Sequence, residues 1–361
     1  MGNCNFRSET AETNSSKDYL ALSSNLFKIN YAIGKGGFGK VWRVEHKKTK
    51  VHFALKEMEK TRIINKRSVL SVMNERRLLA MIRHPFIVNM QYAYQDREKL
   101  YLVMDLMPGG DLRFHIGKQR RFTEAQTKFF ISCILCSLEY LHENAIIHRD
   151  IKPENLVMDY KGYVHLTDFG IARIWQPENK HETSGTPGYM APEVICRQNH
   201  SFVSDYFALG VIGYEFMNGK RPYQGKSRKD IRDAILAKQV QIKLTDLPSG
   251  WSAEACDFFN RLLQRKPHNR LGYSGIKEIK EHPWLTGANW DALITKKLPA
   301  PFSPGTKDNF DQRQVNSEWQ DEGDPVDLQL VSVQNLFAGY YYDASLQPEN
   351  SSAVSTEKLH P

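Results

Sequence analysis

The sequence has no run of eighteen apolar residues that would read as a membrane-spanning helix, and its first twenty residues are too polar for a secretory signal. Cysteine is scarce. Cys4, Cys133, Cys136, Cys196 and Cys256 are odd in number and widely spread, which argues against a disulfide framework and for a reducing compartment. Cys133 and Cys136 form a C-x-x-C, but no second ligand pair accompanies them. Phe129 to Leu141 has helical apolar spacing, so the two are expected to be core cysteines rather than half of a zinc site. Internal repeats are absent. The basic residues are dispersed without interleaved aromatics, which argues against nucleic acid as a partner. The expectation is a monomeric cytoplasmic protein.

What is present is an ordinary globular composition: 361 residues, 41% of them hydrophobic, enough for one large core or two moderate ones. The formal net charge of +8 and the pI near 9.0 favour acidic partners such as nucleotides or anionic lipid heads. Residues 1–26 are rich in Ser, Thr, Asn and Glu and are expected to form a flexible arm. Met1-Gly2-Asn3-Cys4 exposes Gly2 after methionine removal and places the Cys4 thiol two residues on, the pattern of a dually acylated N-terminus. Phe6 stands where Ser or Thr is usual, and a chance Gly2 in a flexible arm is the alternative. Two acyl chains would hold the protein stably on the cytoplasmic face of a membrane, where one gives only reversible binding.

From Phe27 the pattern is strand, glycine turn, strand: Phe27-Lys28-Ile29, Tyr31-Ala32-Ile33, then Gly34-Lys35-Gly36-Gly37-Phe38-Gly39-Lys40-Val41, then Trp42 to Val44. A dinucleotide fold needs a helix opening at the third glycine, and Val41 to Val44 is strand-like instead. A hairpin over nucleotide phosphates fits better, with glycines letting backbone amides close on the phosphates and Phe38 at the tip. His52 to Lys56 reads as a strand carrying a phosphate-neutralising lysine. Ser68 to Ile82 reads as a helix carrying Glu75, expected to pair with Lys56. Leu100 to Asp105 is an apolar strand running into Leu106-Met107-Pro108-Gly109-Gly110, a linker against which the nucleotide's base would rest. Asp111 to Gly117, Glu124 to Asn144 and Gly210 to Asn218 have helical spacing, so the back half is mainly helical.

The densest chemistry lies in His148-Arg149-Asp150-Ile151-Lys152-Pro153-Glu154-Asn155, followed by Asp168-Phe169-Gly170. A carboxylate, a lysine, an amide and a second carboxylate at this spacing can hold metal-bound phosphates beside a hydroxyl group. With the glycine loop, Ala54-Leu55-Lys56, Glu75 and Ala191-Pro192-Glu193, the order and spacing resemble the protein kinase signature set. Asn309-Phe310-Asp311 and Phe337 to Tyr342 resemble the tail motifs of the AGC group. Met1-Gly2, Gly109 to Arg113 and Asn289 to Ala292 are most similar to its YANK branch.

The resemblance implies an α+β, two-lobed protein kinase fold over residues 27–285. It places an N-lobe at 27–104, a linker at 105–110 and a C-lobe at 111–285, followed by an AGC-type tail at 286–361. It implies a serine/threonine kinase using ATP and Mg2+ on protein substrates. Asp150 would receive or orient the acceptor proton, Lys152 would steady the transferring phosphoryl group, and Asn155 and Asp168 would hold magnesium. The nucleotide contacts implied are Ile33, Gly34, Lys35, Gly36, Gly37, Phe38, Gly39, Val41, Ala54, Lys56, Met104, Asp105, Met107, Asp111, Glu154, Asn155, Leu156, Thr167 and Asp168. Leu79, Met90, His148 and Phe169 would form a spine anchored by Asp205, and Glu193 would pair with Arg270. Asp111, Glu154 and Glu215 match positions that bind basic substrate side chains, implying acceptors with arginine or lysine upstream; Gly188 departs from the glutamate common there.

For regulation, the resemblance puts Glu182 where an activating phosphothreonine is usual. Glu182 would pair with Arg149 in its stead, with phosphorylation of Thr183 or Ser184 as the competing reading. Tyr341 takes the tail position usually given to a phosphorylated Ser or Thr, so the aromatic run would dock without that modification in a groove of the small lobe near the Glu75 helix, with a disordered acidic tail as the alternative. A pseudokinase would commonly lack the glycine loop, Lys56, Asp150 or Asp168. All are present. A small-molecule kinase fits less well, since Ala191-Pro192-Glu193 and the segment before it imply a peptide-docking surface.

Overall fold

A computed structural model of the chain describes residues 22–305, 309–310 and 324–347, which fall into two packed units. The first unit collects 22–69, 90–105 and 324–347; the second collects 70–89, 106–305 and 309–310. Gly2, Cys4, Asp311, Asp321 and the last fourteen residues lie outside the described residues.

The first unit is built on an antiparallel sheet of β1 (Phe27–Lys35), β2 (Lys40–His46), β3 (His52–Glu59), β4 (Met90–Gln95) and β5 (Lys99–Asp105), in the order β1-β2-β3-β5-β4. A short strand from the tail, Tyr342–Asp343, adds to the β4 edge. One face buries Leu22, Phe27, Val44, Leu55, Tyr94, Tyr101 and Val103. Phe27 stacks on Tyr94 and Tyr94 on Tyr101, with ring centroids 6.3 and 4.7 Å apart. Leu22 belongs to this cluster, so at least one residue five positions before Phe27 is packed where the polar composition predicted a flexible arm. The apolar stretch around Leu22 is too short to show a period, yet the aromatic face covers it.

The described tail residues pack on the same unit. Lys60 opens the helix Lys60–Asn65 fully buried, and its Nζ donates to the Asp96 carbonyl and to Gln334 Oε1, both at 2.7 Å. Burial lowers the Lys60 pKa, opposed by Asp96. Gln95 Nε2 donates to the Phe337 carbonyl at 2.8 Å, Phe337 and Tyr340 are fully buried, and Tyr342 and Asp343 pair with Ala93 and Tyr92.

The second unit is mainly helical, its longest helices being Glu124–Glu143 and Val203–Asn218. Thr123 caps the first by accepting from the Gln126 amide, while Gln126 returns a bond to Thr123, a capping box that fixes where the helix starts. Cys133 and Cys136 are buried on this helix, and burial pushes both thiols up, as fits core residues. Glu193 and Arg270 form a two-point bridge at 2.7 and 2.9 Å with the guanidinium fully buried. Removing one partner of such a pair costs about 3–5 kcal/mol. Residues beyond 285 stay attached to this unit: Lys296 Nζ reaches Asp159 at 3.0 Å and His165 at 2.7 Å, and the Asn309 amide donates to the Pro108 carbonyl.

Candidate active site

The segment 148–155 is held from below by one carboxylate. Asp205, in the first turn of helix Val203–Asn218, accepts from the His148 amide at 3.0 Å and the Arg149 amide at 2.9 Å, and His142 Nε2 reaches it at 3.0 Å. Burial alone would raise the Asp205 pKa. The His142 hydrogen bond and the fields of His142 and His148 reverse this and lower it. Arg149 sits at φ 68°, a left-handed conformation that a long side chain rarely adopts, and these bonds hold it there. His148, fully buried, has its pKa lowered by burial and packs edge-on against Phe169 with centroids 5.1 Å apart.

Three side chains converge on Asp150. Lys152 Nζ donates to Oδ2 at 2.6 Å, Asn155 Nδ2 to the same oxygen at 3.0 Å, and Thr186 Oγ1 to Oδ1 at 2.6 Å. Lys152 also donates to Thr186 Oγ1 at 2.9 Å, so one hydroxyl rests between the carboxylate and the ammonium. Thr186 is a residue of the site that the motifs do not mark. Nothing in its spacing shows that its hydroxyl and amide both bond Asp150.

Asn155 turns its amide nitrogen toward Asp150, bonding the carbonyl as well as the carboxylate, so its Oδ1 is the atom oriented away. Thr167 donates its amide to the Asn155 carbonyl at 3.0 Å, and next to it Asp168 sits at φ 66° with Oδ1 accepting from Gly170. An amide oxygen and a carboxylate are hard donors that fit magnesium. Leu156 is fully buried and Met107 half-buried in this unit. Glu75 is buried on the helix Val69–Met81.

The glycine loop belongs to the first unit. The Gly36 amide donates to the Gly39 carbonyl, Phe38 accepts from the Glu59 amide, and Lys66 donates to the Gly37 carbonyl. A Cβ on Gly39 would lie 1.8 Å from the Glu57 carbonyl oxygen, so only glycine lets the loop fold against β3. Ile33, Gly34 and Lys35 end β1, with Gly34 and Lys35 opposite Val41 and Lys40. Register sets Val41 opposite Lys56 and Ala54 opposite Met104, which groups four expected nucleotide contacts on neighbouring strands. Asp105 accepts from Gln91 at 2.7 Å.

Arg149 and Glu182 meet as expected: Arg149 Nη1 donates to Glu182 Oε2 at 2.7 Å and to its carbonyl at 3.3 Å, while Nε donates to the Ile171 carbonyl at 2.7 Å. Burial lowers the Arg149 pKa, Glu182 opposes it and Arg173 adds to it. Thr183 is exposed and Ser184 half-buried.

The acidic trio departs from expectation. Arg113 Nε donates to Glu154 at 2.8 Å and its Nη1 to Glu215 at 2.7 Å, while its Nη2 reaches Tyr189 Oη and Glu215. Glu154 and Glu215 are thus ion-paired within the chain. Asp111 caps the helix Leu112–Gln119 by accepting from the Phe114 amide, and burial raises its pKa. Arg113 stands in plain view in the sequence, but its partners come from three separated segments.

A family model described as "Protein kinase domain" matches residues 27–285. A probable serine/threonine-protein kinase of Dictyostelium discoideum is 37% identical over 338 residues, 92% of this chain and 73% of that protein. Serine/threonine-protein kinase Sgk2 of Homo sapiens is 37% identical over 300 residues, covering 82% and 80%. Serine/threonine-protein kinase YPK2/YKR2 of Saccharomyces cerevisiae is 36% identical, and there the match spans 89% of this chain but 48% of the relative.

Proposed function

The chain belongs to the protein kinase domain family, as a serine/threonine kinase of the AGC type, and from that premise we propose the roles of its residues in moving the ATP γ-phosphate to Ser and Thr hydroxyls. The observation that carries the reading is the Thr186 hydroxyl seated between Asp150 Oδ1 and Lys152 Nζ. An acceptor hydroxyl at that place would pass its proton to Asp150 as the new O–P bond forms and the bond to the leaving diphosphate breaks. Lys152 steadies the charge on the phosphoryl oxygens from the same side. Asn155 and Asp168 would hold magnesium, which when bound neutralises phosphate charge. Lys56 and the amides of the loop Gly34 to Gly39 would take the remaining phosphate charge, while Val41 and Ala54 of the same sheet would rest against the base.

The kinase domain is 27–285 and the tail follows from 286; within the AGC group, Gly109 to Arg113 and Asn289 to Ala292 favour the YANK branch. Gly2 and Cys4 carry the acylation reading and would give a cytoplasmic membrane attachment; no helix among the described residues is long and apolar enough to cross a membrane. The test is transfer of labelled γ-phosphate from ATP to Ser/Thr peptides with and without magnesium. Label on serine or threonine that disappears with chelator is expected. Label on tyrosine alone, or transfer indifferent to chelation, would contradict the roles assigned.

A further inference from the structure

Glu154 lies two residues after Lys152, and Tyr189 three after Thr186, so both flank the groups that converge on Asp150. With Glu215, whose side chain is 5% exposed, they form a recess suited to a guanidinium. Arg113 already fills it, with four hydrogen bonds to Glu154, Glu215 and Tyr189. Its pKa is raised by Glu215, Tyr189 and Glu154 although burial opposes this. A second arginine adjoins: Arg221 Nη1 donates to the Pro187 carbonyl at 3.2 Å, and its guanidinium lies 5.8 Å from the Tyr189 ring. Gly188 has φ +96°, and a Cβ there would stand 2.7 Å from Arg221 Nη1. A carboxylate side chain at 188 would therefore have to displace Arg221.

Resting on the kinase reading above, we propose that Arg113 determines specificity by occupying, from within the chain, the place a substrate's basic side chain would take on Glu154 and Glu215. The enzyme then has no preference for Ser/Thr acceptors with basic residues upstream. A substrate arginine would have to displace a guanidinium that is tethered to the fold and loses no freedom of translation by binding. It would also bring like charge against Arg113 and Arg221.

The experiment compares kcat/KM for three peptides with one serine acceptor and arginine, alanine or glutamate upstream. The enzymes are the wild type, Arg113→Ala and Arg113→Met, with Asp150→Ala as control. The wild type should use the arginine peptide no better than the alanine one. The variants should raise the arginine-to-alanine ratio by about tenfold or more, chiefly through KM, because the vacated carboxylates now take the peptide's guanidinium. A wild type that favours arginine by about tenfold, or active variants with an unchanged ratio, would overturn the proposal. If neither variant folds, the wild-type ratio decides. No transfer to any peptide overturns the kinase reading itself, which separates the two failures.

Discussion

Arg149 joins three places: the segment carrying Asp150, the Ile171 carbonyl just after Asp168-Phe169-Gly170, and Glu182. A carboxylate supplies less charge and fewer acceptor oxygens than a phosphate, and the Glu182 side chain is 42% exposed, so solvent screens the pair. Glu182→Ala should cost about 1 kcal/mol, roughly a fivefold fall in kcat/KM. Phosphatase treatment should leave wild-type activity unchanged. Loss of activity on that treatment would transfer the role to Thr183 or Ser184. The pairing of Arg149 with Glu182 was legible because both positions belong to a fixed-spacing motif. The pairing of Arg113 with Glu154 and Glu215 was not, because three segments distant in sequence had to be brought together, and a carboxylate's vacancy cannot be read from its own position.

Among the elements, the strands flanking the glycine turn and the helix Glu124–Glu143 were legible to within a few residues, since alternation and helical spacing are strong there. β4 and the helix Lys60–Asn65 went unread. Met-Gln-Tyr-Ala-Tyr-Gln buries residues on a period that the sheet's register shift interrupts, and a six-residue helix opening on a lysine is too short to show an apolar period. The tail was legible through its aromatics, and its anchor is the fully buried Lys60, joined to Gln334 and set 5.2 Å from the Phe337 ring. Truncation after Asn335 removes Phe337, Tyr340 and the strand pairing of Tyr342. It should lower both the melting temperature and kcat/KM, because β4 loses its edge partner and Lys60 is opened to solvent. An unchanged melting curve and activity would show that the tail contributes neither.

At the scale of the whole molecule, acid should unfold the chain earlier than carboxylates alone would require. Burial, with the field of Lys296, lowers His84 and His165 each to about 4, and burial lowers His148 as well. All three lie below the ~6.5 of imidazole in an unfolded chain, so the unfolded state takes up protons first as pH falls. Stability present at pH 7 is therefore lost progressively from about pH 6.5 towards about 4. Calorimetry across that range should show a falling melting temperature, and a flat profile would contradict the buried neutral imidazoles. Such histidines are invisible in sequence, because burial on both sides of a short strand such as Val164–Leu166 depends on what packs over it.

The reading of the chain as a phosphotransferase stands on Asp150, which gathers Lys152, Asn155 and Thr186 around one carboxylate. The most direct measurement is the initial rate of phosphate transfer from MgATP to a serine peptide by the wild type and by Asp150→Ala, both checked for folding. Loss of about a hundredfold or more in kcat, with peptide and nucleotide still bound, is the expected result. Equal rates from the two proteins would contradict it.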